Sequence, residues 1–413
     1  MMFDDSVLGG ILLILLLALA FLFLYNVIRW CAGYPETETE TMVNIQPLEK
    51  PTWERNRCPY LIGETMEKVL AENRITPSET GSPSPPILLP CGYDDIDREI
   101  GMMDPQPGQR VFIVHNADEL AGKDHLWRNL VRYHTLAKAK TLMPNTYILY
   151  SPDDMARFEK EYTPGKLYIM KKNIQRQEGL KIVDSYDEVI RNKRDYVVVQ
   201  ELLQDPYTIA KRKINMRFYV LVVCNGRNVD VYVYKDGGGG FMYYTKDPWV
   251  KHSKELGPNI TTGYIDRKVY EQNPLTHDDL RKYLDDPRRP LSEVEERIRD
   301  QGKKVSDVFF DKIYRLLAQV FVATSDKICD GDKLRDAISF QQFGADVAMS
   351  DTLVPHVMEV NKGCNISPHS PEDAKVKEGF VRDTLRLIGA IDNPGANGFI
   401  KIVDREGMRI TTI

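Results

Sequence analysis

Strand and helix signals alternate from Arg110 onward, and that alternation predicts an α/β or α+β domain. Residues 111–114 are a short apolar run, residues 124–140 space their apolar positions as a helix does, and residues 146–149 return to a strand pattern. A second observation is a hairpin near the C-terminus. Phe343, Ala345, Val347 and Met349 alternate with Gly344, Asp346, Ala348 and Ser350, and apolar Val357, Met358 and Val360 mark a returning strand after a connection over residues 351–355. The third is an apolar run at residues 7–28, interrupted by two glycines, Tyr25 and Asn26, which is long enough to cross a bilayer.

The elements between these landmarks follow the same rules. Strands are expected at residues 167–170, 196–200, 216–223 and 229–234, the last two joined through Asn225-Gly226, a pair suited to a hairpin turn. Val305, Val308, Phe309, Ile313, Leu316, Leu317, Val320 and Phe321 recur at spacings of three and four, the pattern of an amphipathic helix laid on a sheet. The expected organisation is a transmembrane helix at 7–28, a largely flexible linker at 29–90 with one short helical stretch, a domain at 91–393 and a tail at 394–413. Residues 272–304 read as a solvated charged insertion. Acidic residues precede the apolar run and Arg29 follows it. A single-pass membrane protein with its domain on the cytoplasmic side is therefore expected, as a retained anchor rather than a cleaved leader.

Composition narrows the class. The chain of 413 residues is 42% hydrophobic and 28% charged, which is ordinary for a globular protein, and its net charge of -5 argues against nucleic acid as a partner. Six cysteines are scattered with no metal-ligand spacing. A reduced compartment is expected, with the even count leaving disulfides open.

Chemistry is concentrated in three places. Glu359 and Asn361 lie two apart on one strand and so share a face, and an antiparallel partner strand places Asp346 across from them. Three oxygen donors meeting this way suit a hard divalent cation that also binds phosphate. Upstream, Lys171 ends one strand and leads through a polar, basic stretch to Gly179 and a second strand, either a phosphate cradle or a solvated hairpin. Residues 197–199 then open into Gln200, Glu201 and Leu202, a connection that can offer backbone groups to an adenine edge. Lys213 and Arg217, four apart on a strand, face the same way and can reach one phosphate tail or remain a surface cation pair.

Taken in order, Lys171, Gly179-Leu180, Gln200-Glu201-Leu202, Lys213-x-Asn215-x-Arg217, Asp346 and Glu359-x-Asn361 resemble the tubulin tyrosine ligase-like family of ATP-grasp ligases. Residues 122–126, a lysine-led helix start, and residues 142–147, a proline and threonine strand entry, fit the same family, and the likeness covers about residues 110–390. The resemblance implies an ATP-grasp fold with the nucleotide in a cleft between two mixed or antiparallel sheets. It implies ATP and Mg2+ as cofactors. Lys171 matches the phosphate-binding lysine, Gly179 the loop, and Gln200, Glu201 and Leu202 the adenine hinge. Lys213 and Arg217 match the cations of the nucleotide and acyl-phosphate region, and Asp346, Glu359 and Asn361 the magnesium ligands. The activity implied is ATP-dependent ligation of an amino acid to a protein or peptide, tubulin being the family default.

Four departures stand against that pattern. Lys172 replaces a usual proline, Gln177 a usual glycine, Asn215 a usual aspartate, and Gly237–Gly240 a segment that usually ends in an arginine on the substrate. Asn215 brings no charge and Gly240 no guanidinium fork. The alternative they leave open is a non-catalytic binding or structural module of the same fold at a membrane. The tetraglycine itself reads as either a lid or a simple loop.

Overall fold

Two sheets are present in the computed structural model, which describes residues 45–55, 57–78, 87–174, 179–235, 237–263, 265–392 and 397–404. The smaller sheet is antiparallel, with strands β1 Thr146–Ile148, β2 Tyr168–Lys171, β3 Leu180–Val183 and β4 Val198–Glu201 in the order β1-β4-β2-β3. Helices α1 Lys123–His134 and α2 Leu136–Leu142 precede it and bury Leu126, Trp127, Leu130, Ala139 and Leu142 in the main core.

The larger sheet is organised by one long strand, β5 Arg212–Asn225, whose apolar run permits burial on both faces. Strands β6 Asn228–Tyr234 and β7 Gly240–Thr245 pair antiparallel with successive halves of one edge of β5. Strand β8 Ile338–Met349 pairs along the other edge, and β9 Pro355–Lys362 returns beside β8. Strand β10 Phe399–Val403 closes on β6.

The two faces of β5 have different fates. Met216, Phe218, Val220 and Val222 join the core that contains the amphipathic helix at 305–322. Tyr219, Leu221 and Val223 point the other way, under a helix at 371–387, where Tyr219 stacks on Phe380 with ring centroids 4.7 Å apart. Lys213, Asn215 and Arg217 continue that second face towards the start of the strand. There the apolar cover ends and the face becomes polar.

Several expectations need correction. The short helical stretch expected within the linker is the helix Glu64–Glu72, but it is built into the fold, with Met66, Val69 and Leu70, spaced three and one apart on one side, packed into the second core. The charged insertion supplies two capped helices, α3 His277–Asp285 and α4 Glu293–Asp300, which bury Leu280, Leu284 and Ile298, and Glu295 is buried with them, paired with Arg289 at 2.8 Å. Within the expected tail, β10 is a paired strand. The thiols are paired as well, Cys58 with Cys91 and Cys224 with Cys329, at Cα separations of 5.3 and 5.5 Å that suit a disulfide, whereas Cys364 is free and buried. Linear spacing gave no sign of either pairing because the partners are 33 and 105 positions apart in the chain.

The single-pass membrane assignment is also corrected. No helix among the described residues is long and apolar enough to cross a membrane. The long helix α5 Val305–Val322 carries Asp307, Asp311, Lys312 and Arg315 and spends its apolar side on the sheet. Residues 7–28, which carried the expected span, lie outside the described residues, and neither the anchor nor the cytoplasmic placement derived from it is carried further.

The tetraglycine is a packed turn. Gly237, Gly238 and Gly239 have φ of 63°, 110° and 70°, a region that favours glycine, and the Gly238 carbonyl accepts from the His277 N–H at 2.9 Å. A Cβ on Gly240 would lie 2.1 Å from the Arg217 carbonyl oxygen and 2.6 Å from His277 Cε1, so the chain there is closed to any side chain. Gly240→Ala is therefore expected to lower the unfolding free energy by about 1–3 kcal/mol in urea denaturation. Unchanged stability would show that the turn is looser than its packing indicates.

Candidate nucleotide and metal site

The β8–β9 hairpin places its acidic residues by register. Asp346 lies directly across from Glu359, Gly344 lies across from Asn361, and a bulge follows in which Met358 is the extra residue. The sequence expectation that Glu359 and Asn361 share a face with Asp346 opposite agrees with this register. Asn361 Nδ2 donates to Glu359 Oε1 at 3.2 Å, an orientation that leaves Asn361 Oδ1 as an acceptor.

On its other side Asp346 faces Arg217 of β5, the next residue in the same row. Arg217 donates from Nε to Oδ1 at 2.5 Å and from Nη2 to Oδ2 at 2.9 Å, a two-pronged ion pair. Burial works to lower the Arg217 guanidinium, and the Asp346 carboxylate instead holds it well above its usual value. Burial pushes the Asp346 carboxyl up, and Arg217 works against that rise. The sequence leaves Arg217 either reaching a phosphate with Lys213 or lying as a surface cation; the structure pairs it with Asp346, one of the expected metal ligands.

The donor set fits a magnesium ion on its chemistry. It offers two carboxylates and an amide oxygen, hard donors all, and each Asp346 oxygen keeps a lone pair beyond the one that Arg217 uses. Among the described residues no group of three His, Cys, Asp or Glu could hold a metal, so two carboxylates would have to be completed by Asn361, water and phosphate. Magnesium habitually keeps such ligands.

Cations complete the site. Lys171, the last residue of β2, is buried, and its Nζ donates to Gln200 Oε1 at 2.7 Å. Gln200 in turn donates from Nε2 to Thr146 Oγ1 at 2.8 Å. Burial, with Lys123 adding to it, brings the Lys171 ammonium down to about 8, against the pull of Glu359 and Asp346. Lys213 is likewise brought to about 8 by burial and by the nearby positive charge of Lys171. Lys123, at the start of α1, lies with Nζ 3.6 Å from Glu359 Oε2. Burial tends to raise the Glu359 carboxyl, but Lys123 and Lys171 hold it below its usual range. Lys123, Lys171, Lys213 and Arg217 thus outnumber Asp346 and Glu359, and buried cations in excess call for an anion.

The remaining expected residues are placed differently. Gln200 turns its side chain inward to hold Lys171. The Glu201 and Leu202 N–H groups donate to the carbonyls of Asn145 and Leu167 at 2.9 and 3.0 Å, and the Glu201 carboxylate pairs with Lys166 at 2.9 Å. Those two N–H groups are thus taken by the sheet, which narrows what the expected hinge can offer. Gly179 has φ of 70°, and its carbonyl accepts from the Lys172 N–H at 3.1 Å. Gln177 lies outside the described residues. Sequence reasoning saw a lysine-led helix at Lys123 without placing it in the site, because its partner Glu359 is far along the chain.

A family model described as the tubulin-tyrosine ligase family matches residues 102–396. Among curated proteins the chain is similar to the "Probable beta-tubulin polyglutamylase" of Tetrahymena thermophila, at 27% identity over 70% of this chain and 24% of that protein. It is similar to the tubulin monoglutamylase TTLL4 of Mus musculus, at 24% identity over 66% of this chain and 23% of the relative. It also resembles the tubulin polyglutamylase ttll-4 of Caenorhabditis elegans, at 25% identity over 73% of this chain and 49% of the relative. The matched part thus spans between about a quarter and a half of the length of these relatives.

The lowered lysines carry a pH signature. Lys213 ordinarily titrates near 10.5 and is brought to about 8 here, so below pH 8 folding keeps a buried cation charged at a cost, and the cost fades as pH rises from 8 to 10.5. Lys213→Met is accordingly expected to stabilise the ligand-free protein at pH 7 by on the order of 1–3 kcal/mol, with a smaller gain at pH 10. Urea denaturation at the two pH values checks it, and a gain that grows with pH would contradict the assignment.

Proposed function

Because the chain belongs to the tubulin-tyrosine ligase family, we propose that it is an ATP-dependent ligase joining an amino acid to a protein or peptide acceptor. The observation that carries this reading is the meeting of Lys123, Lys171 and Lys213 with Asp346, Glu359 and Asn361 in one buried site between the two sheets. The cations would bind the phosphates of ATP, and the oxygen donors would hold a metal that offsets phosphate charge.

In this reading a substrate carboxylate oxygen attacks the γ-phosphorus, the bond to ADP breaks, and an acyl phosphate forms. An amine then attacks the acyl carbon, phosphate leaves, and the amine proton is lost as the amide or isopeptide bond closes. Asp346, Glu359 and Asn361 would hold Mg2+, which when bound neutralises charge on the phosphates. Lys171, kept in place by Gln200, and Lys123 sit where phosphate charge develops. Lys213 lies on the same face as Arg217 and is suited to the transferring group. Arg217, anchored by Asp346, orients the carboxylate side of the site. Positioning and charge are the main demands of such a transfer, since the covalent chemistry belongs to ATP and the acyl group.

The printed names of the relatives make glutamate the first amino acid to test and tubulin the first acceptor. Asn215 and Gly240 depart from the family at positions near the substrate, so the choice of amino acid is not carried over with them. The same departures support a second reading, a nucleotide-binding module without ligase activity.

Two measurements separate these. Incubation of the purified chain with labelled amino acids, Mg-ATP, tubulin and acidic peptides is expected to label one acceptor. Nucleotide binding without any incorporation would favour the second reading. Glu359→Gln removes a charge from the metal set and is expected to cut ATP turnover by about a hundredfold or more. Turnover at the wild-type rate in that variant would overturn the metal assignment.

A further inference from the structure

Asn215 is the side chain that β5 places between Lys213 and Arg217 on its polar face. Among the described residues no hydrogen bond reaches its carboxamide. Oδ1 is buried and unsatisfied while the residue as a whole is half-buried, so Nδ2 is the end left open. Its neighbour on β8 is Ala348, which has no polar side-chain atom to offer. Buried amides are ordinarily satisfied, and one left without a partner inside a charged row is a place for a ligand group.

On the other edge of β5 the neighbour is different. Tyr243 of β7 lies directly across from Asn215 and shares its face, a pairing that sets the two Cβ atoms about 5 Å apart. Its ring is held from two sides. The Arg217 guanidinium carbon is 5.3 Å from the ring centroid, and Gly263 leaves the ring its room, since a Cβ there would stand 3.2 Å from Tyr243 Cε1. The Tyr243 hydroxyl has no hydrogen-bond partner among the described residues. An amide N–H and a phenol O–H thus stand side by side, both unused, and Lys213 and Arg217 flank Asn215 about 7 Å away along the strand. The nearest acids of that face are already engaged, Asp346 with Arg217 and Asp373 with Lys377 at 3.2 Å. Two open donors in a positive field suit an oxygen that gains negative charge.

We propose that Asn215 Nδ2 and Tyr243 Oη form an oxyanion hole for the acyl-transfer half of the reaction. The proposal rests on the ligase reading, which sets the transferring phosphoryl group beside Lys213 and the carboxylate beside Arg217, so that the acyl carbon lies over Asn215. A neutral amine attacks that carbon, the new C–N bond forms, and the carbonyl π pair moves onto oxygen. The two donors receive that oxygen anion. As the intermediate collapses, the C–O bond to phosphate breaks and the amine proton leaves with the phosphate, which yields the amide and hydrogen phosphate. A carboxylate at position 215 has no N–H to give, so the asparagine adds a donor.

The two halves of the reaction can be read separately. The full chain is given Mg-ATP with the amino acid and acceptor that the wild type joins, and single turnovers are quenched with excess hydroxylamine, which converts any remaining acyl phosphate to a hydroxamate. Thermal melting checks folding. Tyr243→Phe removes one donor and keeps the ring between Arg217 and Gly263; Asn215→Asp keeps the shape and replaces the other donor by a charge that repels the oxyanion. Each is expected to slow amide formation about tenfold or more and to raise the trapped hydroxamate several-fold, with KM for ATP within about twofold of wild type. Tyr243→Phe carries the test if Asn215→Asp does not fold. The wild-type ratio of amide to hydroxamate in either folded variant, loss of both products together, or faster ligation by Asn215→Asp would overturn the oxyanion hole and leave ligation standing. A wild-type chain that joins no amino acid to any acceptor would instead overturn the ligase reading, and the oxyanion hole with it.

Discussion

The ion pair between Arg217 and Asp346 fixes the rest of the site, because it joins the middle strand of the large sheet to the acidic hairpin at one row of side chains. Arg217, Asp346 and Glu359 occupy three neighbouring strands in that row, and a slip of one residue in either pairing would turn the set to the opposite face. What prevents the slip is the apolar pattern. Met216, Phe218, Ala345 and Val347 must meet the core under α5, and the polar partners between them are then obliged to face the opposite side of the sheet. Core packing and site geometry are therefore one constraint.

The same constraint explains why so much charge is tolerated out of water. A buried ion is costly unless it is paired or awaits a partner. Arg217 and Asp346 are paired; Lys171 and Lys213 are depressed to about 8, the mark of cations held close together under cover. Such an arrangement spends stability on affinity for an anion. Where the apolar cover is complete, as at Tyr219 and Phe380, the same sheet face carries no such charge.

Much of this was legible in the residues. The alternation around Asp346 and the i, i+2 spacing of Glu359 and Asn361 were enough to place three oxygen donors together, because strand periodicity is a local property. The Lys213 and Arg217 pair was visible for the same reason. What escaped was non-local. Nothing near Arg217 in the chain names Asp346 as its partner, and nothing near Lys123 names Glu359. Gln200 was read through its backbone, while its side chain proves to hold Lys171. Charge density misled at residues 272–304, where Leu280, Leu284 and Ile298 outweigh their polar neighbours, and composition alone left open the role of Gly237–Gly240, where Gly240 packs against Arg217 and His277. Composition reports an average, whereas a core needs only one apolar side of a helix.

The central claim is that buried lysines take the phosphates of ATP while Asp346, Glu359 and Asn361 take a metal with them. Calorimetric titration of the wild-type chain with ATP, in Mg2+ and again in excess chelator, tests both halves in one experiment. The account predicts binding with Mg2+ and an affinity at least about tenfold weaker without it. Equal affinity in the two conditions would contradict the metal site, and no binding in either would contradict the nucleotide cleft itself.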